Sequence, residues 1–112
     1  MSGTAGPGFV PVARIEEVPP GTMLGVTSPD GERICLANCG GEILAVTDEC
    51  PHQGFQLSVG ELSPDGEIEC VWHGARFDCR TGAVRNGPAD APLTVYEVRV
   101  EEGRIMLGPA RP

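Results

Sequence analysis

Apolar residues recur along this chain in short alternating runs separated by Gly, Pro and Asp clusters, a period that suits strands rather than helices. Residues 9–18 carry Val10, Val12, Ile15 and Val18 and predict a first strand, stopped by Pro19-Pro20-Gly21. Residues 23–27 predict a second, closed by the turn Ser28-Pro29-Asp30-Gly31. Residues 33–38 and 42–47 flank Gly40-Gly41, a hairpin signal. Both runs are apolar on both parities (Ile34, Cys35, Leu36; Ile43, Leu44, Val46), which predicts central strands covered on each face.

Further along, Gly60-Glu61-Leu62 leads to the turn Ser63-Pro64-Asp65-Gly66, and residues 67–72 place Ile68, Cys70 and Trp72 on one parity. Residues 76–79 and Ala83-Val84 flank Arg80-Thr81-Gly82 as another small hairpin, and 86–92 is a loop rich in Pro and Gly. The longest strand is expected at 93–101, where the apolar parity changes between Val95 and Tyr96; a bulge or a switch between sheets would explain the change. Glu102-Gly103 turns the chain into a last strand at 104–107, followed by a frayed tail at 108–112. No segment predicts a helix. The fold class is all-β, an antiparallel sandwich or partly open barrel, expected as one domain over 1–112 with a loose arm at 1–8.

Composition sharpens this picture in two respects. Gly and Pro make up nearly a quarter of the 112 residues, which disfavours long helices. Sixteen carboxylates stand against eight cations, all of them arginine, for a net charge of −8. Nucleic acid and anionic membrane are therefore not expected as partners, whereas a protein with a basic patch is. No apolar run reaches membrane-spanning length and the N-terminus lacks the features of a secretory signal, so the expected compartment is the cytoplasm. Five cysteines, an odd number, fit a complete disulfide framework poorly.

Candidate chemistry is concentrated in two stretches, Cys50-Pro51-His52-Gln53-Gly54 and Cys70-Val71-Trp72-His73-Gly74, which contain both histidines of the chain. Thiolate and imidazole suit borderline and soft metals. One zinc ion held by Cys50, His52, Cys70 and His73 is a candidate, but structural zinc sites usually take like ligands in pairs. Here each stretch mixes one thiol with one imidazole, and Cys50 and His52 are too close in sequence to chelate one ion easily. A two-metal site, to which each loop sends its Cys and its His separately, suits the pattern better.

These stretches, with Arg76-Phe77-Asp78 and Thr81-Gly82 behind them, resemble the Rieske iron–sulfur family, and the strand-rich pattern on either side agrees with that fold. The resemblance implies one [2Fe–2S] cluster in a small subdomain of two loops at one end, about 48–88, with Cys50 and Cys70 on an inner iron and His52 and His73 on an outer one near solvent. It also implies that Gly54 and Gly74 allow close backbone approach, that Trp72 shields the cluster or relays electrons, and that Pro88 lies in a covering loop. Two imidazoles in place of two thiolates make the site less negative in each redox state, which raises the potential into a range of roughly −150 to +300 mV. High-potential members of the family carry a disulfide between the loops and hydroxyl donors near the cluster. The matching positions here are Phe55 and Trp72 for the disulfide, Ala75 and Phe77 for the donors, so the low end of the range is expected.

The function implied is that of a soluble electron carrier without substrate chemistry of its own. It would take single electrons from a flavin-dependent NAD(P)H reductase and pass them to a terminal oxygenase of aromatic-ring hydroxylation, through His52 and His73, and nothing demands more than a monomer. Two alternatives stand beside it: a Rieske-like small subunit of a nitrite reductase, and a structural zinc module that binds a partner. Cys35, Cys39 and Cys79 are small apolar strand residues, extra ligands or a redox pair.

Overall fold

The structure, a computed structural model, describes residues 8–49, 56–71, 74–86 and 92–111. Among the described residues, ten antiparallel strands form two sheets. The larger has the order β1-β10-β9-β4-β3-β2, from β1 (Val10–Arg14), β10 (Arg104–Ala110), β9 (Val95–Glu101), β4 (Glu42–Thr47), β3 (Arg33–Cys39) and β2 (Met23–Thr27). It curls nearly into a barrel. The smaller sheet, in the order β5-β6-β7-β8, consists of β5 (Glu61–Leu62), β6 (Glu67–Glu69), β7 (Arg76–Asp78) and β8 (Val84–Asn86).

The two-faced strands are central and buried on both sides, as expected. Ile34, Leu36, Ile43 and Ala45 point into the barrel with Val18, Ile105 and Leu107, whereas Cys35, Leu44 and Val46 point the other way. That second core lies between the sheets and is completed by Leu57, Ile68, Cys70, Ala75, Phe77, Cys79, Leu93 and Val95. Gly40 and Gly41 both take positive φ (65° and 104°) in the two-residue turn between Cys39 and Glu42, the backbone that this hairpin requires. The two Ser-Pro-Asp-Gly turns are built alike: the Gly31 and Gly66 amides donate to the Ser28 and Ser63 carbonyls, and the Ser28 and Ser63 hydroxyls accept the Glu32 and Glu67 amides.

Four expectations need correction. The first strand ends at Arg14 and is followed by a short 3-10 helix, Ile15–Glu17; the Glu17 carboxylate accepts the Arg14 amide at 2.8 Å and folds the chain back. A second 3-10 helix spans Leu57–Val59, so the fold is not strictly free of helix. The parity change on β9 marks two cores rather than a bulge in that strand: Val95 packs between the sheets, Tyr96 and Val98 against the barrel core. The register shift lies on the partner strand, where 107–110 of β10 spans 96–98 of β9. The tail is ordered to Arg111, whose amide donates to the Val95 carbonyl at 2.7 Å, and β10 continues through a buried Gly108. Of the arm expected at 1–8, residues 1–7 lie outside the described residues. Among the described residues no helix is long and apolar enough to cross a membrane.

Candidate metal centre

Of the four predicted ligands, Cys70 falls within the described residues; Cys50, His52 and His73 lie outside them, as do Gly54, Phe55, Trp72 and Pro88. Cys70 leaves β6 at 1% exposure, enclosed by the inter-sheet core. Its amide donates to the Ala75 carbonyl at 2.8 Å, closing a tight loop over 70–75 in which Gly74 has φ +69°. The next residue, Val71, is 59% exposed. The loop thus turns from core to surface within one residue. Arg76 at its far end reaches back to Glu69 (3.5 Å) and Glu67 (3.9 Å).

The described residues on either side of the first motif are tied to each other. Asp48, two residues before Cys50, is 1% exposed. It accepts the Ser58 amide at 2.6 Å and the Ser58 hydroxyl at 2.7 Å, with Gln56 Nε2 at 3.5 Å. One side chain therefore joins the two flanks of 49–57. Gly25 on β2 leaves room for this clamp, since a Cβ there would lie 2.7 Å from both Asp48 Oδ2 and Ser58 Oγ. Beyond the clamp, Gly60 packs so closely on the Glu69 backbone that a Cβ would collide with the carbonyl, and Glu61 pairs with Glu69 across β5 and β6. The return of the first loop is thereby fixed beside the start of the second. The sequence expectations give Asp48, Ser58, Gly25 and Gly60 no part in the site, because their partners are distant in the chain.

Ala75 and Phe77 are fully buried in the core that holds Cys70. Behind them Asp78 accepts Arg85 Nη2 at 2.8 Å and the Arg80 amide at 2.8 Å, bonds that hold its carboxyl below the usual range, the arginine contributing most. Burial pushes the Cys35 thiol up, and its sulfur lies 3.7 Å from Met23 Sδ. Cys39 and Cys79 are neighbours, their sulfurs 2.9 Å apart.

Two sheets thus present a buried thiol at the end of β6, with the residues that flank the first motif tied together by Asp48 and packed through Gly60 against Glu69. The Rieske [2Fe-2S] domain model matches residues 8–97, and the chain belongs to that family. It is 38% identical over 99 residues to the biphenyl dioxygenase ferredoxin subunit of Pseudomonas sp. (strain KKS102), covering 88% of this chain and 89% of that protein. Identity is 42% over 94 residues to the 3-phenylpropionate/cinnamic acid dioxygenase ferredoxin subunit of Escherichia coli (strain K12), covering 83% and 86%. A chain from the complex of reduced oxygenase and oxidised ferredoxin in carbazole 1,9a-dioxygenase superposes with a TM-score of 0.86 at 30% identity, over 94% of this chain and 97% of that one. A nitrite reductase small subunit from Mycobacterium tuberculosis (TM-score 0.79, 24% identity, 93% and 95% covered) shares the fold.

The cofactor is one [2Fe–2S] cluster, and the chain is an electron carrier rather than a catalytic subunit. The described part of the site fits that group. A thiol sealed from water beside an apolar core suits a cluster that must be shielded on one side.

Proposed function

We propose that this protein is a low-potential carrier that receives single electrons from a flavin-dependent NAD(P)H reductase and delivers them to a terminal Rieske oxygenase of aromatic-ring hydroxylation. Cys50 and Cys70 hold the inner iron and His52 and His73 the outer one, in a single domain over 1–112 whose cluster-binding part is about 48–88. When bound, the cluster supplies one-electron transfer. The protein works in the cytoplasm, as a monomer.

The observation that carries this reading is the change from Cys70 at 1% exposure to Val71 at 59%. A ligand thiol insulated in the core one residue from the surface is what a carrier that docks and departs requires. Val59, at 62% exposure, follows the first motif and adds a second apolar residue to the same end. Ala75 and Phe77 support the low potential, since neither offers a hydroxyl to stabilise added negative charge.

Metal analysis is the first test: two irons with two acid-labile sulfides per chain are expected, and one zinc without sulfide would sink the proposal. Electron paramagnetic resonance of the reduced protein reports the mixed Cys and His ligation. A redox titration should give a midpoint near the bottom of the Rieske range, and one well above zero would rule out the low-potential carrier. His73→Cys should keep a cluster, lower its midpoint and slow electron delivery to the oxygenase.

A further inference from the structure

Cys39 and Cys79 belong to different sheets. Cys39 is the last residue of β3, at the hairpin turn, and Cys79 follows β7 in the smaller sheet. Their sulfurs lie 2.9 Å apart across forty residues of chain, about 0.9 Å more than an S–S bond. Both are thiols in this structure.

The surroundings hold the two sulfurs in place. The Cys79 amide donates to the Gly66 carbonyl at 3.0 Å, and the turn after it is fixed by Asp78, whose carboxyl accepts the Arg80 amide and whose carbonyl accepts the Gly82 amide at 2.7 Å. Glu42 pairs with Cys39 in the β3–β4 register and accepts Arg80 Nη2 at 2.9 Å and Nε at 3.2 Å. An ion pair therefore spans the same two segments as the thiols, Arg80 following Cys79 in sequence and Glu42 facing Cys39 across the hairpin. Gly66, with φ +86°, lies against the same junction: a Cβ there would sit 2.9 Å from Arg80 Nη1 and in ordinary contact with the Cys79 sulfur at 3.6 Å.

We propose that Cys39 and Cys79 form a reversible disulfide that staples the two sheets together, made by exchange with a low-molecular-weight disulfide of the glutathione class. Cys39 is the partly exposed member, whereas Cys79 is fully buried, with its thiol pushed up by burial and by the bond to Cys39. Cys39 is therefore the sulfur that meets the reagent. Its thiolate attacks one sulfur of the small disulfide and expels one small thiolate, giving a mixed disulfide. Cys79 loses its proton, attacks the Cys39 sulfur and expels the second small thiolate. Two protein thiols are oxidised and one small disulfide is reduced to two thiols, with the two protons passing to them. In a reducing compartment the pair rests as dithiol and closes as the poise turns oxidising. The closed ring runs from 39 to 79 and encloses both Cys–His motifs, so it restrains the segments on which the centre depends.

The test equilibrates the cluster-loaded protein in glutathione buffers stepped from reducing to oxidising, then quenches in acid, alkylates all thiols and weighs the intact chain. Of the five cysteines, three should remain alkylatable on the oxidising side, the pair accounting for the two lost, and reduced glutathione should restore all five. A tryptic digest should join Phe77-Asp78-Cys79-Arg80 to the peptide 34–76, and fragmentation of the linked pair should place the bond on Cys39 rather than on Cys35, Cys50 or Cys70. Cys35→Ala should leave the loss unchanged, and Cys39→Ser should abolish it. Five alkylatable thiols throughout, a glutathione adduct that persists on Cys39, or a link from Cys79 to any other cysteine would overturn the proposal.

Discussion

Burying a carboxyl group is unfavourable unless donors meet it, and Asp48 is met on both oxygens by Ser58. Its value lies in what it joins, since it precedes the first Cys–His motif and its donors follow that motif. Nothing in Thr47-Asp48-Glu49 marks the middle residue for burial, because the donors come from ten residues further on. The motif itself is legible at this scale: ligand types are a property of single side chains, and their order in the chain needs no folding to be read. The clamp and the Cys39–Cys79 contact are legible only once the strands are placed. Asp48→Ala should cost about 2–3 kcal/mol of stability, by removing two hydrogen bonds to a charged acceptor and leaving the Ser58 donors to find others. Asp48→Asn keeps one acceptor and should cost about half as much. Denaturant unfolding with an unchanged m-value measures both, and a wild-type midpoint for Asp48→Ala would show that the clamp carries no load.

Strand positions are largely legible, because a strand covered on both faces must be apolar at successive residues, as 34–36 and 43–46 are. The turns are legible for a local reason too: Gly40-Gly41 and the two Ser-Pro-Asp-Gly runs satisfy their own backbone groups. What periodicity misses is set by long-range partners. The last strand looks finished at Leu107 because Gly108 and Pro109 interrupt the apolar pattern. In the fold these residues form an irregularity opposite Glu97, and Gly108 lies against Phe9, where a Cβ would come within 2.6 Å of the ring. Ala110 then pairs with Tyr96, and Arg111 adds its amide to Val95 and its guanidinium to Glu97 at 3.1 Å. Removing 108–112 should therefore destabilise the protein by about 2 kcal/mol or more, from lost backbone bonds and packing. Arg111→Ala, which loses an exposed ion pair and a long exposed hydrogen bond to the Arg80 carbonyl, should stay within about 1 kcal/mol of wild type. Guanidinium chloride midpoints compare the two, and a truncated chain as stable as the full one would restore the frayed tail.

For the molecule as a whole, two properties act on the same end of the fold at different ranges. The net charge of −8 acts over distance. Exposed Glu49 and Glu61 flank the segment that carries the first motif, so part of that charge is local. Val59 and Val71 act only on contact, as the apolar residues that a partner would cover. Steering and adhesion can therefore be separated for the proposed transfer from reductase to carrier. The association rate, followed by stopped-flow reduction at increasing protein concentration, should fall about tenfold or more between about 0.01 M and about 0.5 M salt, as the screening length shrinks below the width of the docking face. Val59→Ser with Val71→Ser should raise the dissociation rate and leave the salt dependence as it was, since no charge is altered. Glu49→Gln with Glu61→Gln should do the reverse, slowing association at low salt with little effect at high salt. An association rate that does not respond to salt would mean that the acidity only keeps the protein in solution, and that recognition rests on the apolar contact alone.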